Sequence, residues 1–350
     1  MESTLLATAR RIHLAQGFKK TKFFVTKYLQ YYPHSQRWVR FIDGYYDRYT
    51  GGAAPVEMVR TKFLRSFYSR QLKPAARLAR LRAHYDFLET RFRAHMVRTL
   101  LSGVEIRLGS MSGKSGTLYD IGVAQHPRYR AEGDLTLFLR RRGDEVALAA
   151  LTFSFASGAG SFASDAGSFA SGGGSFAAGE GSTPALRVGG LQGPQADDGK
   201  QRVVDATKDL NGLRPKGAVL SAFYDIAALF GVTDIEAVGM KNHPLNDRRH
   251  AVFADNDSFW AEQGAQATPS GDFRLPVAPP QRALEEVPAK KRKDWLARNA
   301  HREVMSAQVV ALMRSCFRGD EATRPDADIR AHLVADGAPV YAEFGLLAAE

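Results

Sequence analysis

The stretch DATKDLNGLRPKG, residues 205–217, breaks at Asn211-Gly212 and then sets Arg214, Pro215 and Lys216 ahead of a long apolar run. The first turn of a helix has free backbone N–H groups and the positive end of a dipole, so such a junction can cradle an anion. In that reading the N–H groups of Lys216, Gly217 and Ala218 face phosphate, and Arg214 and Lys216 supply charge. The same residues also suit a plain joint between helices, with Pro215 at the first helical position, where its missing N–H is no loss.

Acid–base candidates are few. Glu132, just before the strand-like DLTLFL, has the chemistry of a general base if it faces a cleft, or is a satisfied turn carboxylate. Asn242 and His243 follow the strand-like IEAVGM (235–240), where α/β sheets tend to bind ligands, although Asn242 equally suits a helix cap. Glu262 and Trp260 in DSFWAEQG could line a pocket, while Phe259 and Trp260 are also natural core anchors. The catalytic candidates are therefore Glu132, His243 and Glu262. His84, His243 and His301 are scattered, and without an H-x-x-x-H or C-x-x-C spacing no metal site is expected. The single cysteine, Cys316, allows no internal disulfide, fits a reducing compartment and suits a small core position.

The elements that must position these groups are legible in outline. Residues 1–100 hold 20 Lys and Arg against 6 Asp and Glu, although the whole chain of 350 residues carries only +11. Such a one-sided basic field favours phosphate-rich partners, nucleic acid or an anionic membrane surface, or is simply a solvated helical surface. In 72–100 the apolar residues Leu78, Leu81, Tyr85, Leu88, Phe92 and Met96 recur at helical spacing, with Arg77, Arg80, Arg82, Arg91, Arg93 and Arg98 mainly on other faces. RIHLAQGFKKTKFFVTKYLQYY (11–32) is a basic, aromatic-rich segment of the same kind.

After residue 101 the pattern turns to strands: VEIRL, TLYDIGV, DLTLFLR, EVALAALTFSF and ALRVGGLQG, mostly with short glycine-containing links that suit antiparallel hairpins. Four tandem units beginning SFASGAG form an insertion at 157–183, expected to be disordered and to carry no function. A helix at 201–211, the joint, a helix at 218–231 and the strand 235–240 make a crossover, so part of the sheet is parallel. The expected fold is α+β, a mixed and mostly antiparallel sheet with a crossover helix. A basic helical region (1–100) precedes this core (101–265). A Pro-rich linker and basic helix (266–318) and a flexible tail (319–350) follow. The polar start gives no secretory signal, and the most apolar run, VALAALTFSFA, is too short to span a bilayer, so a cytoplasmic protein is expected.

LRAHYDFL, AEGDLTLFL, LTFSF, VGGLQGP, ATKDLNGLRPK, DSFWAEQG and EEVPAKKRKDW occur in an order that resembles the VirK/YbjX family of bacterial proteins of undefined biochemistry, over about residues 20 to 310. That resemblance implies a role at the cell envelope: virulence, display of a surface protein, and resistance to cationic antimicrobial peptides. The chain departs from the family pattern at VGMKNH and at AVFADNDSFW.

The element order also looks like the GCN5-related acyltransferase fold, which implies coenzyme A or an acyl-CoA as cofactor. In that likeness RVGGLQG is the fourth strand, NGLRPKG the phosphate loop and IEAVGM the strand splayed to admit the pantetheine arm. Arg214 to Val219 follows the signature R-x-x-G-x-G/A except at its last position, where Val219 would crowd the phosphates. Gln192, Lys208, Asn211, Arg214, Lys216 and Gly217 are then the cofactor-binding candidates.

Three functions stay open. One is an envelope-associated protein peripheral on the inner membrane, acting by contact with anionic lipid or an envelope protein. The second is an acyltransferase acting on a lipid or protein. The third, a nucleic-acid binder, has no reader motif, so no specific nucleic acid is expected.

Overall fold

The computed structural model describes residues 4–157, 183–246, 255–280 and 283–318 together with His332. Most of the repeat insertion (158–182), part of the AVFADNDSFW departure (251–254) and nearly all of the tail lie outside these residues.

Eight strands form one sheet, in the order β1-β2-β3-β4-β5-β6-β8-β7. The strands β1 (Ile106–Ser112), β2 (Leu118–Ala124), β3 (Leu135–Arg141), β4 (Ala147–Ser157) and β5 (Pro184–Gln192) form an antiparallel meander. The chain then crosses through α6 (Gly199–Asp209) and α7 (Pro215–Leu229) to β6 (Asp234–Ala237), which lies parallel to β5. A helix, α8 (Asn256–Glu262), and the hairpin β7 (Gln266–Ala267) and β8 (Phe273–Leu275) complete the edge, antiparallel to β6. The structure is thus α+β with a mixed, mostly antiparallel sheet.

Period-two alternation turns Phe153 and Phe155 of β4 to one face. There Phe155 stacks on Phe87 of α4 (Pro74–Arg91), with ring centroids 4.0 Å apart, and Phe153 meets Phe223 of α7 at 5.5 Å. The two helices share that side of the sheet. Before α4 come α1 (Thr4–Gln16), α2 (Phe18–Gln30) and α3 (His34–Thr50), and α3 buries Trp38, Ile42 and Tyr45 completely or nearly so. The last helix, α9 (Arg292–Ser315), packs on α7 and β1 through Met305, Val309 and Leu312.

The pattern in 72–100 reads as one helix, but it breaks at Phe92-Arg93, between α4 and α5 (Ala94–Leu101). A remote segment stabilises the break. Arg93 N donates to Cys316 O (2.8 Å), Arg318 Nε donates to Phe92 O (2.8 Å), and the Phe92 and Phe317 rings meet at 5.7 Å. Arg77, read from its position as polar-faced, is buried, because its guanidinium donates to Phe63 O (2.9 Å) and Leu72 O (3.1 Å).

Candidate functional site: the mouth between β5 and β6

β5 and β6 run parallel from Ala185↔Asp234 to Val188↔Ala237, with a last bond from Val238 N to Val188 O (2.8 Å). Beyond that point they part. Gly190, Leu191 and Gln192 stay paired with β4, while the chain after β6 turns through Gly239 to His243. Gly189 is an extra residue in β5, a bulge opposite Thr152/Phe153.

Glu132 spans the parted ends. Gln192 Nε2, on β5, donates to Glu132 Oε1 (3.1 Å), and His243 Nε2, after β6, lies 3.6 Å from the same oxygen. Leu245 N donates to His243 Nδ1 (3.3 Å), so Nδ1 is the acceptor and Nε2 carries the proton. Glycine is required beneath. A Cβ on Gly189 would overlap the Glu132 carbonyl oxygen, and one on Gly190 would overlap Oε2. Glu132 and His243 are buried, yet Glu132 Oε2 and His243 Nε2 have no hydrogen-bond partner. A buried carboxylate with one lone pair served out of several is costly. Glu132 is therefore no surface turn residue.

The loop that holds Glu132 is clamped from below. Lys62 Nζ donates to Gly133 O (2.7 Å) and pairs with Asp134 Oδ1 (2.5 Å), while Ser154 Oγ donates to Asp134 Oδ2 (2.7 Å). Although burial opposes it, the Lys62 ammonium holds the Asp134 carboxyl below its usual range; Lys62 is itself lowered by burial. His84 lies alongside, accepting from Phe155 N through Nδ1 (3.3 Å), and burial pulls its imidazole down from 6.5 to about 4. Asn242, by contrast, is fully used as a tie. Its Nδ2 donates to Ser270 O and Asp272 Oδ1 (both 2.9 Å), and its Oδ1 accepts from Gln71 (2.6 Å).

The cations gather separately. Asn211 (φ 54°) and Gly212 (φ 83°) turn the chain in left-handed backbone, and α7 begins at Pro215 with no side-chain cap. No backbone bond occupies the N–H of Lys216 or Gly217, while Ala218 N closes the first turn on Arg214 O (3.0 Å). Basic residues of α9 come over this end. A Cβ on Gly212 would sit 3.1 Å from Arg298 Nη1, one on Gly217 4.0 Å from Arg302 Nη2, and Asn211 Nδ2 is 2.8 Å from His301 Nε2. Burial, and then repulsion from Arg298, lower Arg302, and neither arginine makes an ion pair among the described residues. Lys216 lies over the Phe259 ring at 5.5 Å, and Arg214 is exposed. Val219 is buried in the core, so its side chain packs inward along α7.

The structure thus brings Glu132, His243 and Gln192 together, and groups Asn211, Arg214, Lys216 and Gly217 at the start of α7. It leaves Lys208 exposed on α6 and Glu262 exposed at the end of α8. Lys62, Arg298 and Arg302 escape a sequence reading, because they lie 70 or more residues from the segments they meet. Among the described residues no three His, Cys, Asp or Glu side chains form a metal-binding group. A separate open cleft of about 530 Å³ lies between β1 and α9, lined by Arg107, Arg142 and Gln308 among others, and touches neither group.

Comparison with known proteins gives this architecture a family. A family model described as a protein of unknown function, DUF535, matches residues 13–163 and 174–311. The chain belongs to the DUF535 family. The gap in the match, 164–173, falls inside the Gly/Ser/Phe repeats. The chain is 24% identical over 255 residues to the uncharacterized protein YbjX of Escherichia coli (strain K12), covering 71% of this chain and 70% of that one. It is 27% identical over 137 residues to an uncharacterized protein of Haemophilus influenzae, covering 36% of this chain and 44% of the relative. No solved structure matches. Both relatives carry names that assign no reaction, so the site itself has to argue the chemistry.

Proposed function

We propose that this DUF535 protein is an acyltransferase that draws its acyl group from coenzyme A. One observation carries the reading: two parallel strands part at their carboxyl ends, and a buried, under-bonded carboxylate, Glu132, sits in the gap. The strand order supports it. A meander feeds a crossover helix and a parallel strand, and a short hairpin then closes the edge, which is the sequence of elements expected of the GCN5-related acyltransferase likeness.

An acyl-CoA would supply an activated thioester and a pyrophosphate. The start of α7 suits the pyrophosphate, with two free N–H groups at the positive end of a helix, and with Arg214, Lys216, Arg298 and Arg302 around them. Glu132 suits a general base: it would accept the proton of an amine or hydroxyl of the acceptor as that atom bonds to the thioester carbonyl carbon. The carbon–sulfur bond would break, and the coenzyme A sulfur would leave as the thiol with a proton from Glu132 or solvent. Gln192 holds the carboxylate through Oε1, with His243 Nε2 3.6 Å from the same oxygen, and Oε2 is left for the incoming proton.

The test is a melting curve with coenzyme A. Ligand at a hundred times its dissociation constant should stabilise the protein by about 2.7 kcal/mol. Arg298→Ala with Arg302→Ala should remove that shift, and Glu132→Gln should keep it while abolishing transfer from acetyl-CoA. If residues 211–217 are only a joint between helices, coenzyme A leaves the melting temperature unchanged and the proposal fails.

A role at the bacterial envelope, peripheral on the inner membrane, is the second reading, favoured by the basic first hundred residues. It predicts that cells lacking the gene become more sensitive to a cationic peptide and that the intact gene restores resistance.

A further inference from the structure

Half of the large hydrophobic side chains most exposed among the described residues belong to the first 32. Leu14 is 78% exposed and Phe18 71%, with Leu29 at 58% and Phe23 at 39%. They lie on α1 and α2, whose opposite faces are buried through Thr8, Ile12, Phe24 and Tyr28. The fold has therefore already used one face of this pair and left a second apolar face in solvent. Leu14 and Phe18 flank Gly17 (φ 77°), the single residue that links the two helices. Around them stand the exposed cations Arg11, Lys19, Lys20 and Lys22. Between Thr4 and Ile42 the chain has eight Lys and Arg and no Asp or Glu.

An apolar patch with only cations around it is mismatched to water, and repulsion between like charges opposes pairing with a second copy of itself. It matches a bilayer interface, where rings and leucines enter the acyl boundary and lysines meet anionic headgroups. A nucleic acid would engage the cations and leave Leu14 and Phe18 without use. No helix among the described residues is long and apolar enough to cross a membrane, so the contact is one of surface.

We infer that the junction of α1 and α2 docks this protein on an anionic lipid surface, with Leu14 and Phe18 inserted and Lys19, Lys20 and Lys22 on the headgroups. The inference gives the envelope reading a physical surface and rests on it only for the lipid's sign. It is independent of the acyl-transfer chemistry.

The test is co-sedimentation of the full chain with vesicles of phosphatidylcholine containing phosphatidylglycerol, and with phosphatidylcholine alone. Binding to the anionic vesicles should fall at least about tenfold in Leu14→Ser with Phe18→Ser, and similarly in Lys19→Ser with Lys20→Ser and Lys22→Ser. Neutral vesicles should bind little in every case, and unchanged melting curves should show that these exposed substitutions leave the fold intact. The inference is overturned if the full chain does not bind, or if the serine pair at Leu14 and Phe18 binds as well as the unaltered chain. It is equally overturned if binding to duplex DNA shows the same loss on those two substitutions, or if they convert a dimer to a monomer. Unchanged peptide resistance in cells lacking the gene, with vesicle binding intact, would sink the envelope reading alone.

Discussion

At the scale of single residues the molecule is organised around buried charge. Lys62 and Asp134 are both sealed from solvent, and breaking such a pair by removing one partner typically costs 3–5 kcal/mol, because the other charge stays buried. Their position makes them the floor of the Glu132 loop. His84, beside them, sets a pH limit. Its folded form stays neutral down to about 4, whereas in the unfolded chain it takes up a proton near 6.5. The unfolded state therefore binds more protons between those values, and stability falls as pH drops through that window, by about 3 kcal/mol at its lower end. Asp134, lowered below 3.8, loses its contribution only at more acid pH. Urea unfolding at pH 7 and pH 4.5 should show this loss, and His84→Gln should lessen it. An equal loss in the variant would assign the acid sensitivity to other groups, with His126, also lowered by burial, the next to test.

At the scale of elements, the β4–β5 hairpin shows how an insertion can be carried without rebuilding the sheet. The two strands remain in register out to Ser157↔Pro184, so their ends are already held together where residues 158–182 depart. Closing a longer loop costs only about 0.6 kcal/mol per doubling of its length. Replacing 158–182 by a short turn should leave the melting temperature unchanged or slightly raised. A clear drop would mean that the repeats pack against the body of the protein. The start of α7 shows the converse case, in which a distant element changes the surroundings of a local motif. NGLRPKG alone reads as joint or cradle. Arg298 and Arg302 of α9 add positive charge beside it, on which the proposed anion site depends.

At the scale of the whole molecule, α9 acts as a clasp. It covers α7 and β1, and its end reaches the break between α4 and α5 through Cys316, Phe317 and Arg318. It buries Met305, Val309, Leu312 and Met313, with Cys316 just beyond its end. At roughly 1.5–3 kcal/mol for each large apolar side chain, this rivals the entire stability of an ordinary domain. A chain ending at residue 291 should lose its cooperative melting transition, measured by circular dichroism. A sharp transition in the truncated chain would show the clasp to be an accessory.

The sequence by itself determined what depends on local period and turn chemistry. The five meander strands, the crossover and α9 follow from alternation, helical spacing and glycine placement, and their bounds differ from expectation by only a few residues. It also held Glu132, His243 and the cations of 214–217 as separate candidates. Tertiary structure decided which of these meet. Glu132 joins His243 and Gln192 because a bulge and two glycines in β5 let a loop from before β3 cross over the sheet. The short α8 and the β7–β8 hairpin, in a stretch that reads as loose, persist because Trp260 and Leu275 are buried against the sheet edge. The helix expected across 72–100 breaks because residues more than two hundred positions away bond to its exposed carbonyl and amide groups. Local periodicity reports the energy of a residue with its neighbours in sequence. The contacts of Lys62, Arg298 and Phe317 are made only after the sheet has brought distant segments together, and no spacing along the chain records them.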